Sequence, residues 1–402
     1  MTWPGERSRG ARHVRRRRAM LAATAVASGG GAGARRREAV VIGAGVSGLC
    51  SAVRLAEHGW EVLVVAAEAR GATTSDGCGG YWYPYKSFPA ERTGAWARET
   101  LAAFEGLAKG REGVGAFVRT RRSRHYVCGG GPEAEEEEGV GPPAWAPEDW
   151  RAMGAEDWYD VPEAYPRMTG GIEFSGPVVE MPRFLGWLHA EVARLGGTVV
   201  TGRRLARVED ALEYFPCGRC RADPGATRVV VNCAGLGNRM SLARDGNLVA
   251  ARGQVLYVDA PGLTDVLNVT ARHADGSESF CYAIPRGDFT VLGGTYEVRE
   301  EHARTSPEVE RRIWATCVDL LPPGSLDGAK IKGTWAGLRP VREAGVRLQL
   351  EPLGSDAVVA AAARGVAAVI SNYGHGGSGV TLCWGCADDV VRLANDLAEH
   401  RP

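Results

Sequence analysis

No apolar run in the 402 residues approaches the ~20 that a membrane-spanning helix needs, so no transmembrane helix is expected. Net charge is also missing. The 48 Lys and Arg balance 48 Asp and Glu, which removes any general attraction to nucleic acid or to a membrane surface. A metal-ligand pattern is absent too, although there are ten cysteines. Cys217 and Cys220 form one C-x-x-C pair and Cys383 and Cys386 another, far too distant in sequence for a zinc ribbon. Cys50, Cys233 and Cys383 lie in apolar runs and read as small core residues, and a reducing compartment is the default. What remains, 45% hydrophobic and 24% charged, is an ordinary globular composition with room for two coupled domains.

The zero net charge hides an asymmetry. Residues 1–37 hold ten Arg and one Glu, so the remaining chain is mildly acidic. This Arg-rich, acid-poor stretch has no place in the fold as read. It has the composition of an organelle transit peptide, with a mis-assigned start codon as the bland alternative. A bacterial signal sequence fits less well, because the apolar run after Arg18 is short and made mostly of Ala.

Two glycine-rich stretches stand at opposite ends of the chain. At the front, Ala39-Val40-Val41-Ile42 reads as a buried strand, followed by Gly43, Gly45 and Gly48 in G-x-G-x-x-G spacing. Gly43 suits a tight turn, Gly45 lets backbone approach a pyrophosphate, and Gly48 lets helix pack on strand. Val46 and Ser47 then open a helix whose free N–H groups and positive dipole end would face phosphates. That helix runs to about His58, Gly59 stops it, and Glu61–Val65 forms a second strand. The acid expected roughly 20 residues on, to hold ribose hydroxyls, is Glu68, although the strand-end position itself is Ala66. At the back, Asn372 to Thr381 gives a second glycine-rich turn before another helical run. A cofactor held from both ends of a chain suits FAD better than NAD.

Between them, residues 73–84 place hydroxyls (Thr74, Ser75) ahead of glycines (Gly79, Gly80) and aromatics (Tyr81), an order suited to phosphate first and a flat flavin ring next. The run Val229–Gly237 reads as a central parallel strand whose turn, with Ala234, abuts the cofactor. Residues 109–155, with Gly129–Gly131, the acidic run Glu135–Glu138 and Pro142-Pro143, read as a solvated insertion without a catalytic role. Met181 to Leu195 reads as an amphipathic helix with Phe184, Leu185, Trp187 and Leu188 inward. From Gly253 to Gly294 strands alternate, which marks an antiparallel substrate domain. The expected fold is α/β, a Rossmann-like FAD-binding domain with an antiparallel-sheet substrate domain inserted. The expected division is 1–37 leader, 38–105 and 171–250 FAD-binding, 106–170 loop-rich, 251–335 substrate-binding and 336–402 FAD-binding.

Together, VVIGAGVSGL, TTSDGCGGYWYP, VVNCAGLGNR, ARGQVLYVDAP, YAIP, VLGGTY, GLRPVR and NYGHGGSGVTLCWGCA resemble, in order, the D-amino-acid oxidase family, which includes D-aspartate oxidase. The last two are the specific ones, and the resemblance covers about Glu38 to Ala394. It implies that Arg339 binds the substrate α-carboxylate, a role a planar guanidinium suits better than Lys. It implies that Tyr282 adds a hydrogen bond to that carboxylate and that the Gly377 carbonyl receives the amine. Gly376, Gly379, Val380 and Thr381 would lie along the flavin pyrimidine edge, with Val208 a further cofactor residue and His375 a structural histidine. The implied reaction is hydride transfer from a D-amino acid to FAD, giving a 2-oxo acid, ammonia and, with oxygen, hydrogen peroxide.

Three departures stand out: Glu278 at the place of a lid tyrosine, Tyr83 at a usually polar position, and an end, His400-Arg401-Pro402, unlike the family's common peroxisomal tripeptide. The resemblance otherwise implies an intracellular, peroxisomal protein and leaves a homodimer open. D-aspartate oxidase is the alternative to a neutral D-amino-acid oxidase. Arg272, His273 and Arg286 are available for a second carboxylate, and Glu278 weighs against one. A flavin-binding protein without oxidase activity and a nicotinamide-dependent dehydrogenase are the more distant readings.

Overall fold

The computed structural model describes residues 36–111, 113–130, 143–215, 226–287, 289–351, 366 and 368–399. The leader through residue 35, the Cys217/Cys220 pair and the Glu135–Glu138 run lie outside them. In chain order the strands are β1 (Arg37–Ile42), β2 (Glu61–Val65), β3 (Val118–Cys128), β4 (Arg151–Ala152) and β5 (Met168–Val179). There follow β6 (Thr198–Val200), β7 (Thr227–Asn232), β8 (Leu248–Asp259), β9 (Val266–Arg272) and β10 (Glu278–Arg286). The last are β11 (Phe289–Gly293), β12 (Glu297–Val298), β13 (Lys330–Arg342), β14 (Arg347–Leu350) and β15 (Ala368–Tyr373). Among the described residues they form two sheets.

The first sheet has six strands in the order β14-β15-β7-β1-β2-β6, parallel except for β14 at the edge. Strands β1 and β7 are continuous apolar runs because both faces of this sheet are covered, as parallel sheets require. Val41, Val64, Val229 and Val231 face the helices Val46–Glu57, Met181–Arg194 and Gly379–Glu399. Val40, Ile42, Val65 and Val230 face the opposite side, where the 3-10 turn Val208–Tyr214 packs. The helix expected from Met181 buries Phe184, Leu185 and Leu188, with Trp187 half-buried and stacked on Phe184. Ile42 lies opposite Asn232, which lies opposite Ser371, so the carboxyl ends of β1, β7 and β15 stand side by side. Ligands of open α/β sheets bind at this edge.

The second sheet has nine strands, antiparallel but for the β3–β9 pair, with the helix Pro307–Leu320 against one face. Its members come from residues 118–179 as well as from 248–342. Part of the stretch read as a solvated insertion therefore differs from that reading. Val118–Cys128 is an eleven-residue strand paired on both edges. Three of its four arginines are held by ion pairs instead of by water alone: Arg119 with Glu180 (2.8 Å), Arg122 with Asp265 (2.8 Å) and Arg124 with Glu173 (2.7 Å).

Candidate active site

Gly43 ends β1 with φ +105°, a conformation that L side chains resist, and a Cβ there would lie 2.6 Å from the Cys233 carbonyl oxygen. Glycine at this point lets the first turn fold against the turn after β7. The helix Val46–Glu57 then starts with no side-chain cap and no acid in its first turn. Its Val46 N–H donates to Ser75 Oγ (3.1 Å), which brings the 73–84 loop to the helix start.

The front and back glycine stretches are tied by a closed hydrogen-bond ring. Ser51 Oγ donates to the Ser47 carbonyl (2.8 Å) and accepts from Asn372 Nδ2 (3.1 Å). Because Asn372 gives its N–H to Ser51, its Oδ1 faces His375 Nε2 (3.1 Å), so Nε2 carries the proton. His375 Nδ1 is then the acceptor for the Ser47 hydroxyl (3.4 Å). Burial holds the His375 pKa down at about 4, so the ring is made of neutral groups near pH 7. Both imidazole nitrogens are engaged, which leaves His375 none with which to take a substrate proton.

Arg339, Tyr282 and Gly377 meet on the other side of the 73–84 loop. Arg339 sits on β13 opposite Ala251. Its Nη1 donates to the carbonyls of Thr295 (3.1 Å) and Arg252 (3.3 Å), and its guanidinium lies 5.4 Å from the Tyr296 ring centre. Among the described residues no carboxylate pairs with it. A Cβ on Gly253 would collide with the guanidinium, so glycine there gives Arg339 its place. A Cβ on Gly377 would lie 3.5 Å from Tyr85 and 3.8 Å from Arg339 Cδ.

Tyr282, on β10 opposite Gly293, packs on Phe280 (5.6 Å between ring centres), and Phe280 stacks on Tyr85 (5.7 Å). Tyr85 meets Tyr296 edge-on (6.1 Å). Burial pushes the hydroxyls of Tyr282, Tyr85 and Tyr296 up while the Arg339 cation pulls the other way. All three stay protonated donors at neutral pH. The result is one half-buried cation ringed by tyrosines.

The loop between the two regions is stitched to both. Thr74 Oγ1 donates to Leu338 O (3.1 Å), Ser378 Oγ donates to Tyr85 O (2.9 Å), and Thr381 Oγ1 bonds the Tyr83 backbone N–H and carbonyl (3.1 and 2.9 Å). Gly79 packs so that a Cβ would meet Ile284 at 2.8 Å, and Gly80 O accepts from Val179 N–H (2.6 Å). A Cβ on Gly379 would lie 3.7 Å from Val46, and Ala234 lies against Gly43. Gly45, Ser47, Gly48, Gly376 and Val380 complete these turns. Three expected residues sit apart: the exposed Glu68 carboxylate pairs with Arg204 (2.8 Å), Val208 packs in the apolar layer with Val40 and Ile42, and Tyr81 directs its hydroxyl to His125 Nε2 (2.8 Å). Tyr85, Tyr296 and Gly253 were not picked out from sequence. Tyr85 continues the aromatic loop by two residues, and Tyr296 closes VLGGTY.

This arrangement agrees with what the chain is similar to. Residues 38–393 match the family described as FAD dependent oxidoreductase, DAO. A D-amino-acid oxidase of Rubrobacter xylanophilus is 37% identical over 89% of this chain and 95% of its own length. The D-aspartate oxidase of Homo sapiens is 31% identical over 89% of this chain and 94% of its own length. Among solved structures, glycine oxidase from Geobacillus kaustophilus shares the fold, with TM-score 0.66 at 17% identity over 91% of this chain and 96% of that one. The chain belongs to the FAD dependent oxidoreductase family. Its cofactor is FAD, and the residues fit it: a helix start at Val46 with no acid in its first turn, suited to phosphate, and two turns drawn together at the strand ends.

Proposed function

We propose that the protein deaminates D-amino acids oxidatively, converting a D-amino acid, oxygen and water into a 2-oxo acid, ammonia and hydrogen peroxide. The observation that carries this reading is Arg339, a half-buried cation with no carboxylate partner among the described residues, set beside Tyr282 and Gly377. Its two remaining guanidinium edges suit the α-carboxylate, with the Tyr282 hydroxyl as a further donor. The Gly377 carbonyl accepts from the substrate amine and so fixes the third corner of the Cα. FAD, when bound, supplies the hydride acceptor and the route to oxygen.

The chain's own work is orientation. Gly379, Val380 and Thr381 open the 21-residue helix Gly379–Glu399, and with Gly376 just before it they would turn its positive end towards the pyrimidine edge of FAD, stabilising negative charge there. At the far end Gly43, Gly45, Val46, Ser47, Gly48, Ser75 and Ala234 would cradle the pyrophosphate. Thr74, Gly79, Gly80 and Tyr81 would hold the loop over the ring, and Glu68 and Val208 would serve the adenosine end. No side chain needs to act as a base, since hydride leaves directly from Cα. Family resemblance adds a homodimer, testable by analytical ultracentrifugation, and a peroxisomal location, testable by imaging a tagged chain.

The test is anaerobic bleaching of the bound flavin. D-alanine should reduce it and L-alanine should not. Arg339→Ala should keep its yellow colour and lose about 100-fold or more in reduction efficiency, the cost of removing one partner of a buried charged pair. Near-normal reduction in that variant would remove the carboxylate clamp from the reading.

A further inference from the structure

One irregularity in the second sheet seats both Arg339 and Tyr282. Strand β11 pairs with β8 as far as Leu292 opposite Leu256, and β12 resumes with Glu297 opposite Arg252. Residues 293–296 therefore stand opposite residues 253–255, one more than a regular ladder holds, which is the count of a β-bulge. Two glycines make room for it. Gly294 has φ +144°, and a Cβ there would lie 2.0 Å from the Phe280 carbonyl oxygen. A Cβ on Gly293 would lie 2.1 Å from Tyr282 Cζ, so the Tyr282 ring rests on the bulge. The Thr295 carbonyl, within it, takes Arg339 Nη1 (3.1 Å).

A side chain, not the ladder, pins the bulge to β8. Thr295 Oγ1 accepts from the Gln254 N–H (2.8 Å) and donates to the Gln254 carbonyl (3.2 Å), so one hydroxyl replaces two backbone partners. Gln254 is fixed in turn. Its Nε2 donates to the Ser306 carbonyl (2.9 Å), and its Oε1 accepts from the Ser306 N–H (2.9 Å) and from Arg252 Nη2 (2.5 Å). Arg252 pairs with Glu297 of β12, and its backbone carbonyl is the second acceptor for Arg339 Nη1 (3.3 Å). The Glu297 carboxylate is occupied by Arg252 and by Arg312 (3.0 Å), so it does not compete for Arg339. Thr295, Gln254 and Arg252 are all buried. Their hydrogen bonds run to β8, β13 and residues 293–306, and none reaches the turns Gly43–Gly48 or Gly376–Thr381.

We propose that Thr295 is a positioning residue for the carboxylate clamp. Its hydroxyl holds the bulge at the spacing where the Thr295 and Arg252 carbonyls both meet Arg339 Nη1, which leaves the other guanidinium N–H groups for the substrate. The role rests on the oxidase reading above, in which Arg339 receives the α-carboxylate.

The experiment measures anaerobic flavin reduction by D-alanine, and calorimetric binding of pyruvate, a carboxylate without an amine, in the wild-type holoenzyme and in Thr295→Val. The valine keeps the shape and removes the hydroxyl. It should weaken pyruvate binding and raise the D-alanine concentration for half-maximal reduction by about fivefold, the scale of one neutral hydrogen bond. The limiting rate of reduction and the flavin-to-protein ratio should change little. Thr295→Ser, which keeps the hydroxyl, should match the wild type. In an Arg339→Lys background, whose ammonium lacks the planar fork, the same valine should change pyruvate binding by less than about twofold. Unchanged binding in Thr295→Val, or an equal loss in the Arg339→Lys background, would overturn the role while leaving the oxidase reading in place. Should Thr295→Val fail to fold, Thr295→Cys takes its place, because a thiol is a weaker partner. An intermediate loss of affinity is then expected, and wild-type affinity would overturn the role. A wild type that D-alanine does not reduce would remove the oxidase reading and the role with it.

Discussion

Gly253 shows how much of a binding site can rest on a side chain that is not there. Any Cβ at this point on β8 runs into the guanidinium of Arg339, but the obstacle is the tip of a flexible side chain. Gly253→Ala should therefore fold and bind FAD while displacing the guanidinium. The expected outcome is a rise of about tenfold in the KM for D-amino acids, read from steady-state oxygen uptake, with an unchanged flavin-to-protein ratio. A variant that loses its flavin would place the damage in the fold instead. The sequence hid this role because Gly253 sits in ARGQVLY, where it reads as the start of a strand, and its collision partner is 86 positions away. Arg339 and Tyr282 were named through the family resemblance, on the motifs GLRPVR and YAIP. Tyr85 and Tyr296 matter through their placement around the Arg339 side chain, which no local pattern encodes.

At the scale of elements, the ring Ser47–Ser51–Asn372–His375 joins the first cofactor helix to the last parallel strand. Ser47→Ala removes the hydroxyl that faces His375 Nδ1 and leaves that buried acceptor unpaired, at a cost of about 1 kcal/mol. FAD should then dissociate about fivefold more readily, measured by the gain in free-flavin fluorescence on dilution; unchanged affinity would mean the ring holds the fold and not the cofactor. The parallel strands were legible for a related reason: β1 and β7 are apolar on both faces, and the glycines that follow them mark the strand ends. The Arg-rich β3 was not. Its arginines crowd one strand, and their partners come from elsewhere: Glu173 from β5, Glu180 from just after it and Asp265 from just before β9. Glu68 was placed by counting residues, and counting could not foresee that Arg204 would meet it at the surface.

Across the whole molecule, one carboxylate fastens the two sheets together. Asp245 accepts from Arg342 (2.7 Å) at the end of β13 and from the Tyr373 hydroxyl (2.9 Å) at the end of β15, with Arg347 of β14 at 3.5 Å. Burial alone would raise its pKa, but these donors hold it at about 2. Its contribution, about 2 kcal/mol, is complete above pH 4 and is lost as the pH falls towards 2. Asp245→Asn should lower the urea midpoint at pH 7 and flatten the acid limb below pH 4. The buried histidines act in a higher window. His125 and His375 are held at about 3 and about 4, below their unfolded value, so the unfolded chain takes up protons first. Stability should fall from about pH 6.5 down to those values, by up to ~1.4 kcal/mol per pH unit for each histidine. His125 lies among Tyr83 and Phe174, so His125→Phe should keep the packing and give a shallower decline between pH 6 and 4 in urea titrations. An identical slope would mean His125 does not titrate on unfolding. The cofactor crevice also has an order in time. Its first turn, Gly43–Gly48, leaves the ribosome early, whereas Gly376–Thr381 and half of the hydrogen-bond ring are translated after both sheets have nearly all their strands. A chain truncated before residue 374 should therefore purify colourless instead of as a feeble enzyme, which the absorbance of the purified protein would read.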